Sequence, residues 1–363
     1  MLPSTDRLLL GPGPSPVSAA VTAALGAPAR SHLDADLVAL LDRIRADLVT
    51  TFRAASDHVT LAISGTGTSA MEAAVANVTD EGRRATVVVT GYFGDRLAQM
   101  LTRHGARVSR LGIEWGRAAD PDALRSALRA DGADIVAMVH GETSTGVVNP
   151  VADLVAVARE HGALTIVDAV TSLGAVPLDV GGWGIDICYS CSQKGLGAPS
   201  GLSPITFSPR AIERRVACRS FAFDIGLLQS YWMERKYHHT ISAPLVYALA
   251  AALGEVDAEG LEPRWRRHQA HHQQLVAALA TRQLTLLPPP AERLWSLNAV
   301  RVPPGVDEAA VRSGLLRRHN IEIGAGLGPL AGKIWRIGLM GSGSTADNVE
   351  RVVQALRDVI ERP

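Results

Sequence analysis

Residues 185–201 read Ile-Asp-Ile-Cys-Tyr-Ser-Cys-Ser-Gln-Lys-Gly-Leu-Gly-Ala-Pro-Ser-Gly, and the order of residue types in this stretch decides the fold class. The apolar run Ile185–Ser190 predicts a strand, and Lys194 stands between it and a glycine-rich turn. An amine held between a buried strand and a tight turn loses hydration, which favours its neutral form. Lysine is scarce here: Lys194, Lys236 and Lys333 are the only three among 36 basic residues. Arginine serves elsewhere, and its guanidinium stays charged, so it cannot act where a deprotonatable amine is needed. The three lysines are therefore candidates for chemistry, with chance retention as the alternative for each. Cys188 and Cys191 have C-x-x-C spacing, but one pair without further ligands is a weak metal or redox signal. Both are read as small residues at a strand end.

Outward from this stretch, short apolar runs alternate with amphipathic helical ones. Strands are expected at His58–Ser64, Ala85–Thr90, Arg107–Leu111, Ile135–His140, Leu164–Asp168, Ile185–Ser190 and Ser203–Phe207. Helices are expected at Ser69–Val78, Gly94–His104, Pro121–Ala130 and Val151–His161. The pattern predicts an α/β fold whose large domain carries a mostly parallel seven-stranded sheet flanked by helices. Each strand is read as a near-continuous apolar run with both sheet faces covered.

From Ser242 a long helical tract runs through the polar stretch Arg264–Gln274. Strands at Leu284–Leu287, Leu297–Val302, Ile321–Ile323 and Ile334–Leu339 then mix with helices at Asp307–Arg318 and Thr345–Ile360. That predicts a smaller C-terminal α+β domain. The boundaries read as an N-terminal arm over 1–16, a large domain over 17–262 and a small domain over 263–363. The segment LPPPAERL (287–294) is read as a surface loop.

Three further motifs sit where open α/β sheets place ligands. Ser64-Gly-Thr-Gly-Thr-Ser-Ala70 follows a strand and opens a helix, so glycines and free N–H groups can receive an anion. It also satisfies G-x-G-x-x-A, but the next strand ends in Thr90-Gly91 without the acid that a dinucleotide's ribose wants. A monophosphate cradle is the preferred reading, with a nucleotide site and a plain tight turn as alternatives. Asp168 ends the strand Leu-Thr-Ile-Val-Asp, where it either caps the following loop or faces a ligand. Arg336 lies within an otherwise apolar strand, which calls for an anion or an internal salt bridge. His238-His239 and His268/His271/His272 resemble a metal site only superficially, and the second group is read as a solvated helical face.

Composition excludes several classes. With 36 acidic and 36 basic residues the net charge is zero, and no run of one sign suggests nucleic acid or a membrane surface as partner. No stretch approaches the ~20 apolar residues of a membrane span. The start, MLPSTDRLLLGPGPSP, has no signal-peptide pattern. Three cysteines make no disulfide framework, so the cytoplasm is the expected compartment. No metal is expected.

Assembled, these motifs resemble the alanine–glyoxylate and serine–pyruvate (serine–glyoxylate) aminotransferases, the fold-type-I, class-V enzymes that use pyridoxal 5'-phosphate (PLP). The resemblance runs nearly end to end: LLLGPGP from Leu8, SGTGTSAMEAA, HGETSTG, IVDAVTSLG, GIDICYSCSQKGLGAPSG, RKYHHTI and IEIGAGLGPLAGKIWRIGLMG. It implies that Lys194 carries PLP as a Schiff base and that Asp168 faces the pyridine nitrogen. Thr66, Gly67, Thr68 and Gln193 would form the phosphate cup, Phe93 would stack on the ring, and Thr143 would bond the phenolic oxygen. Tyr237 and Thr240 would reach the phosphate of a neighbouring subunit, which implies a homodimer with shared sites. Gly13 and Arg336 would border the substrate, Arg336 as its carboxylate clamp.

The sequence departs from the pattern at three positions. Some relatives carry tryptophan at 93, histidine at 68 and serine at 143; phenylalanine still stacks and threonine keeps a hydroxyl. The activity implied is ping-pong transamination from a small L-amino acid, alanine or serine, to glyoxylate or pyruvate. Alternatives are a ureidoglycine–glyoxylate-type aminotransferase, a cysteine-desulfurase-like lyase and a silent PLP-binding protein.

Overall fold

The computed structural model describes residues 7–361; the first six residues of the expected arm and the last two of the small domain lie outside it. Seven strands form the main sheet: β1 (Val59–Gly65), β2 (Arg84–Val89), β3 (Arg107–Gly112), β4 (Ile135–Val139), β5 (Leu164–Asp168), β6 (Ile187–Tyr189) and β7 (Gly201–Phe207). They are the seven expected from sequence. Their order is β1-β7-β6-β5-β4-β2-β3, with β7 antiparallel to both neighbours and the other pairs parallel.

The helices are α1 (Ala19–Leu25), α2 (Ala35–Phe52), α3 (Gly67–Ala76), α4 (Tyr92–Arg103), α5 (Pro121–Asp131), α6 (Val151–Glu160), α7 (Ile225–Glu234), α8 (Ala243–Glu259), α9 (Leu261–Ala280), α10 (Glu308–His319) and α11 (Ala346–Glu361), besides shorter turns. Helix α2 was not expected, although its signal is strong. Asp34 caps it by accepting from Asp36 N at 2.9 Å, and Leu37, Leu41, Ile44, Leu48 and Phe52 form one buried stripe.

Three expectations need correction. Strand β3 is not buried on both faces: Arg107, Ser109, Arg110 and Gly112 are exposed because it lies at the sheet edge, with a neighbouring strand on one side only. The tract from Ser242 is not one helix, since Gly260 takes φ 76° and divides α8 from α9. Leu284–Leu287 is not a strand; within it, Leu286 makes a single bridge to Val300.

Beyond α9, strands β8 (Leu297–Arg301), β9 (Gly324–Ala325) and β10 (Ile334–Gly338) form an antiparallel sheet in the order β8-β10-β9. Helices α9, α10 and α11 cover its core, built on Leu275, Leu315, Trp335, Ile337 and Leu356. The chain start joins this core: Leu8–Leu9 pairs in parallel with Ile321–Glu322, and Leu10 is fully buried. The next residues, Pro12 to Ser15, cross to Lys194, so one continuous segment links the second core to the rim of the main sheet. Among the described residues no helix is long and apolar enough to cross a membrane.

Candidate functional site

Strands β1, β4, β5 and β6 run parallel to one another, so their carboxyl ends share one edge, the place where open α/β sheets bind ligands. A cavity of about 170 Å³ opens there. Eight residues singled out in the sequence line it: Thr66, Gly67, Thr68, Phe93, Thr143, Asp168, Gln193 and Lys194. Met71, Arg96, Val139, Gly141, Val170 and Cys191 complete the wall.

Each side chain is placed by its element. Helix α3 begins at Gly67, so the N–H groups of Gly67 and Thr68, which precede the first bond of the helix (Ser69 N to Thr66 O at 2.8 Å), lie at the cavity. A side chain at Gly67 would meet a Val170 methyl at 3.0 Å, so glycine keeps that approach open. Asp168 ends β5 and is buried. Its carboxylate accepts from Val170 N at 2.8 Å and from the Tyr189 hydroxyl at 2.9 Å. Tyr189 stands opposite it in the β5–β6 register. Burial pushes the Asp168 carboxyl up to about 7 against the pull of those two donors. A buried acid of this kind gains most from a cation beside it.

Lys194 follows β6. It keeps some accessible surface because it faces the cavity, but protein crowds its amine, and that burial lowers its pKa, with the nearby Arg336 charge acting in the same direction. Its Nζ donates to the Pro12 carbonyl, and a methyl group at Gly13 would collide with its side chain. The flanking backbone is tightly held. Ser15 N donates to Gln193 O at 2.9 Å and Ser15 Oγ to Lys194 O at 2.9 Å. Arg264 Nη2 donates to Gly195 O at 2.8 Å and its Nε to Gly174 O at 3.1 Å.

Arg336 in β10 is buried behind Thr143. Its Nε donates to Ala325 O at 2.6 Å and its Nη1 to Thr143 O at 3.4 Å. Among the described residues it has no carboxylate within 4 Å, and burial lowers it to about 10. The Thr143 hydroxyl meets that of Thr171 at 2.7 Å. The buried Gln193 Oε1 has no hydrogen-bond partner. Phe93 forms a side wall, with the Arg96 guanidinium 4.9 Å from its ring centre.

Tyr237 and Thr240 do not join this group. Both are exposed on a turn outside the cavity, Tyr237 with its ring 5.3 Å from that of His32. The histidines of α9 are not a solvated face. His268 is fully buried and held down to about 3, and His272 is buried with Nδ1 2.6 Å from Asn298 Oδ1. The cause is position: α9 touches the Lys194 loop at one end and the second core at the other, so its polar face is covered. Cys188 and Cys191 are buried free thiols; burial pushes Cys191 up to about 12 and raises Cys188 well above the usual thiol range. Tyr189, Ser15, Arg264 and Glu142 were not picked out from sequence. Only Tyr189 had a local signal, its place in the strand beside Asp168.

Residues 18–352 match the family model described as aminotransferase class-V. An alanine–glyoxylate aminotransferase of Drosophila melanogaster is 34% identical, the alignment covering 98% of this chain and 93% of the relative. A (S)-ureidoglycine–glyoxylate transaminase of Bacillus subtilis is also 34% identical, over 98% and 91%. The crystal structure of an alanine–glyoxylate aminotransferase from Nostoc sp. superposes with a TM-score of 0.96 at 44% identity, covering 99% of this chain and 96% of that one.

Proposed function

The chain belongs to the aminotransferase class-V family, and we propose that it uses PLP to move an amino group from a small L-amino acid, alanine or serine, to glyoxylate or pyruvate. The observation that carries this reading is the meeting of Lys194 and Asp168 on one cavity, beneath the amino end of α3.

The residues present fit the cofactor. The buried Asp168 carboxyl suits a protonated ring nitrogen. Gly67 and Thr68 offer amides to a phosphate, and Phe93 and Val170 give the cavity apolar walls for a ring. PLP, when bound, supplies an electron sink for the Cα–H bond of the amino acid. Lys194, depressed by burial, takes up and returns that proton as general base and then acid. Asp168 keeps the ring nitrogen protonated, Thr143 offers its hydroxyl, and Arg336 holds the substrate carboxylate in two-point contact. Donor and acceptor use the same place in turn, which makes the reaction ping-pong. We assign the exposed Tyr237 and Thr240 to the phosphate site of a second subunit. With them go a homodimer, a cytoplasmic location, and division into an arm (1–16), a large domain (17–262) and a small domain (263–363).

The Bacillus subtilis relative supports a ureidoglycine donor as the second reading. A cysteine-desulfurase-like reaction needs a reactive thiolate on a mobile loop. Here two cysteines are buried and protonated, and the thiol of Cys218 is also raised.

The test is spectroscopic. Purified protein titrated with PLP should gain a visible band, which L-alanine or L-serine should shift. Borohydride reduction and peptide mapping should place the pyridoxyl label on Lys194. A label on Lys236 or Lys333, or a band indifferent to amino acids, overturns the reading.

A further inference from the structure

Helix α4 begins after Gly91, which has no side chain with which to cap it. Its first three amides are instead satisfied from the turn 141–146, about 50 residues away. Tyr92 N donates to Ser144 Oγ at 2.9 Å, Phe93 N to Glu142 Oε1 at 3.4 Å and Gly94 N to Glu142 Oε2 at 3.1 Å. Glu142 also accepts from Ser144 N at 3.1 Å and from Ser144 Oγ at 2.5 Å. Because Ser144 Oγ receives the Tyr92 proton, its own proton points to Glu142. Every group facing this fully buried carboxylate is therefore a donor, and among the described residues it has no ion-pair partner within 4 Å.

An isolated buried carboxylate is costly unless its bonds are all made, so the arrangement persists for what it aligns. On one side it holds the backbone of Phe93, the cavity wall. On the other it shapes the turn that carries Thr143, whose carbonyl receives Arg336 at 3.4 Å and whose hydroxyl meets Thr171 at 2.7 Å. Its charge also acts on both Arg336 and Asp168. A side chain at Gly91 would run into Glu142 Cγ and Cδ at 2.6 and 2.7 Å, so the helix start and the turn are mutually fitted.

We propose that Glu142 is a positioning residue for both halves of the site, setting the Phe93 wall and the Thr143–Arg336 pair from one buried carboxylate. The proposal rests on the function assigned above. Glu142→Gln keeps the shape but removes the charge and turns an N–H group toward converging donors.

In the cofactor-free protein, hydrogen exchange at the Tyr92, Phe93 and Gly94 amides should accelerate roughly tenfold or more, as expected when a bond to a charged acceptor is lost. In the PLP-loaded protein, the dissociation constant for PLP and the KM for the amino donor should each rise roughly tenfold. The visible circular dichroism of the bound cofactor should change as the wall shifts. A merely structural role predicts a lower Tm with wild-type dichroism, PLP affinity and donor KM well below that temperature, and that result overturns the proposal. Should Glu142→Gln fail to fold, Ser144→Ala removes one capping hydroxyl and no charge. It should move the same three readouts less far, and unchanged values overturn the proposal equally. If the wild-type protein shows no cofactor band, the functional assignment fails instead, while the exchange measurement still tests the anchoring of α4.

Discussion

At Asp168 the local chemistry translates into a pH dependence whose sign can be worked out. Its carboxyl titrates near 7 in the folded, cofactor-free protein against an ordinary 3.8. Between those values the unfolded chain has released a proton that the folded chain retains, so stability falls as pH rises from about 4 to about 7. Each unit of difference is worth about 1.4 kcal/mol. Urea unfolding of the cofactor-free protein should show this decline, and Asp168→Asn should flatten it. In the PLP-loaded protein the same substitution should leave much of the binding but slow the single-turnover proton transfer, because an amide cannot hold the ring proton. A near-normal single-turnover rate would reduce Asp168 to a cap for Val170 N. Lys194 belongs to the same scale: Lys194→Arg should abolish turnover with the fold intact, since a guanidinium cannot exchange carbonyl partners. Activity assays with far-ultraviolet dichroism would check both parts.

Helix α9 shows how one element carries the site. From its first turn Arg264, 4% exposed, spans the carbonyls of Gly174 and Gly195 and pairs with Glu259 at 2.6 Å. Glu259 also binds Arg267, which in turn donates to Ser344 O at 2.7 Å. The loop after Asp168, the loop of Lys194 and the loop after β10 are thus stapled by one carboxylate and two arginines. Arg264→Ala leaves two buried carbonyls bare, and breaking such a pair costs about 3 kcal/mol. Arg264→Lys should recover little, because a point charge cannot reach both carbonyls. Thermal unfolding of the three proteins checks this, and a lysine variant as stable as wild type would count against the staple.

Over the whole molecule, the most exposed large apolar side chains among the described residues are Phe221, 71% exposed, with Tyr237 and Leu33 at 66% each. Phe221 stacks on His238 at 5.2 Å, and Tyr237 meets His32, so these residues form an aromatic surface beside the turn that carries Thr240. Exposed aromatic surface of this kind suits association, and a closed two-fold is its commonest form. Sedimentation should show a dimer, and Tyr237→Ala should weaken PLP retention without unfolding the chain. A fully active monomer at assay concentration would refute the shared site.

Seven strands, helices α3 to α6, Lys194, Asp168 and the glycine-rich start of α3 are all legible in the chain, because each is written in consecutive residues: an apolar run, then a turn, then a functional group. Arg336 was legible for a different reason, as a charge where the pattern demanded an apolar residue. What tertiary structure alone decided is which distant groups hold these in place. Ser15 lies 179 residues from Lys194, Arg264 lies 69 from Gly195, and Glu142 lies 49 from Phe93. The same limit explains the covered histidines of α9, since a helix with two covered faces looks locally like a solvated one, whereas the exposed side of β3 is written in its own residues, Arg107, Ser109 and Arg110. Local sequence determines periodicity and turns through short-range sterics and burial pattern. The partners of a buried donor or carboxylate are set by which loops the finished sheet brings to one edge.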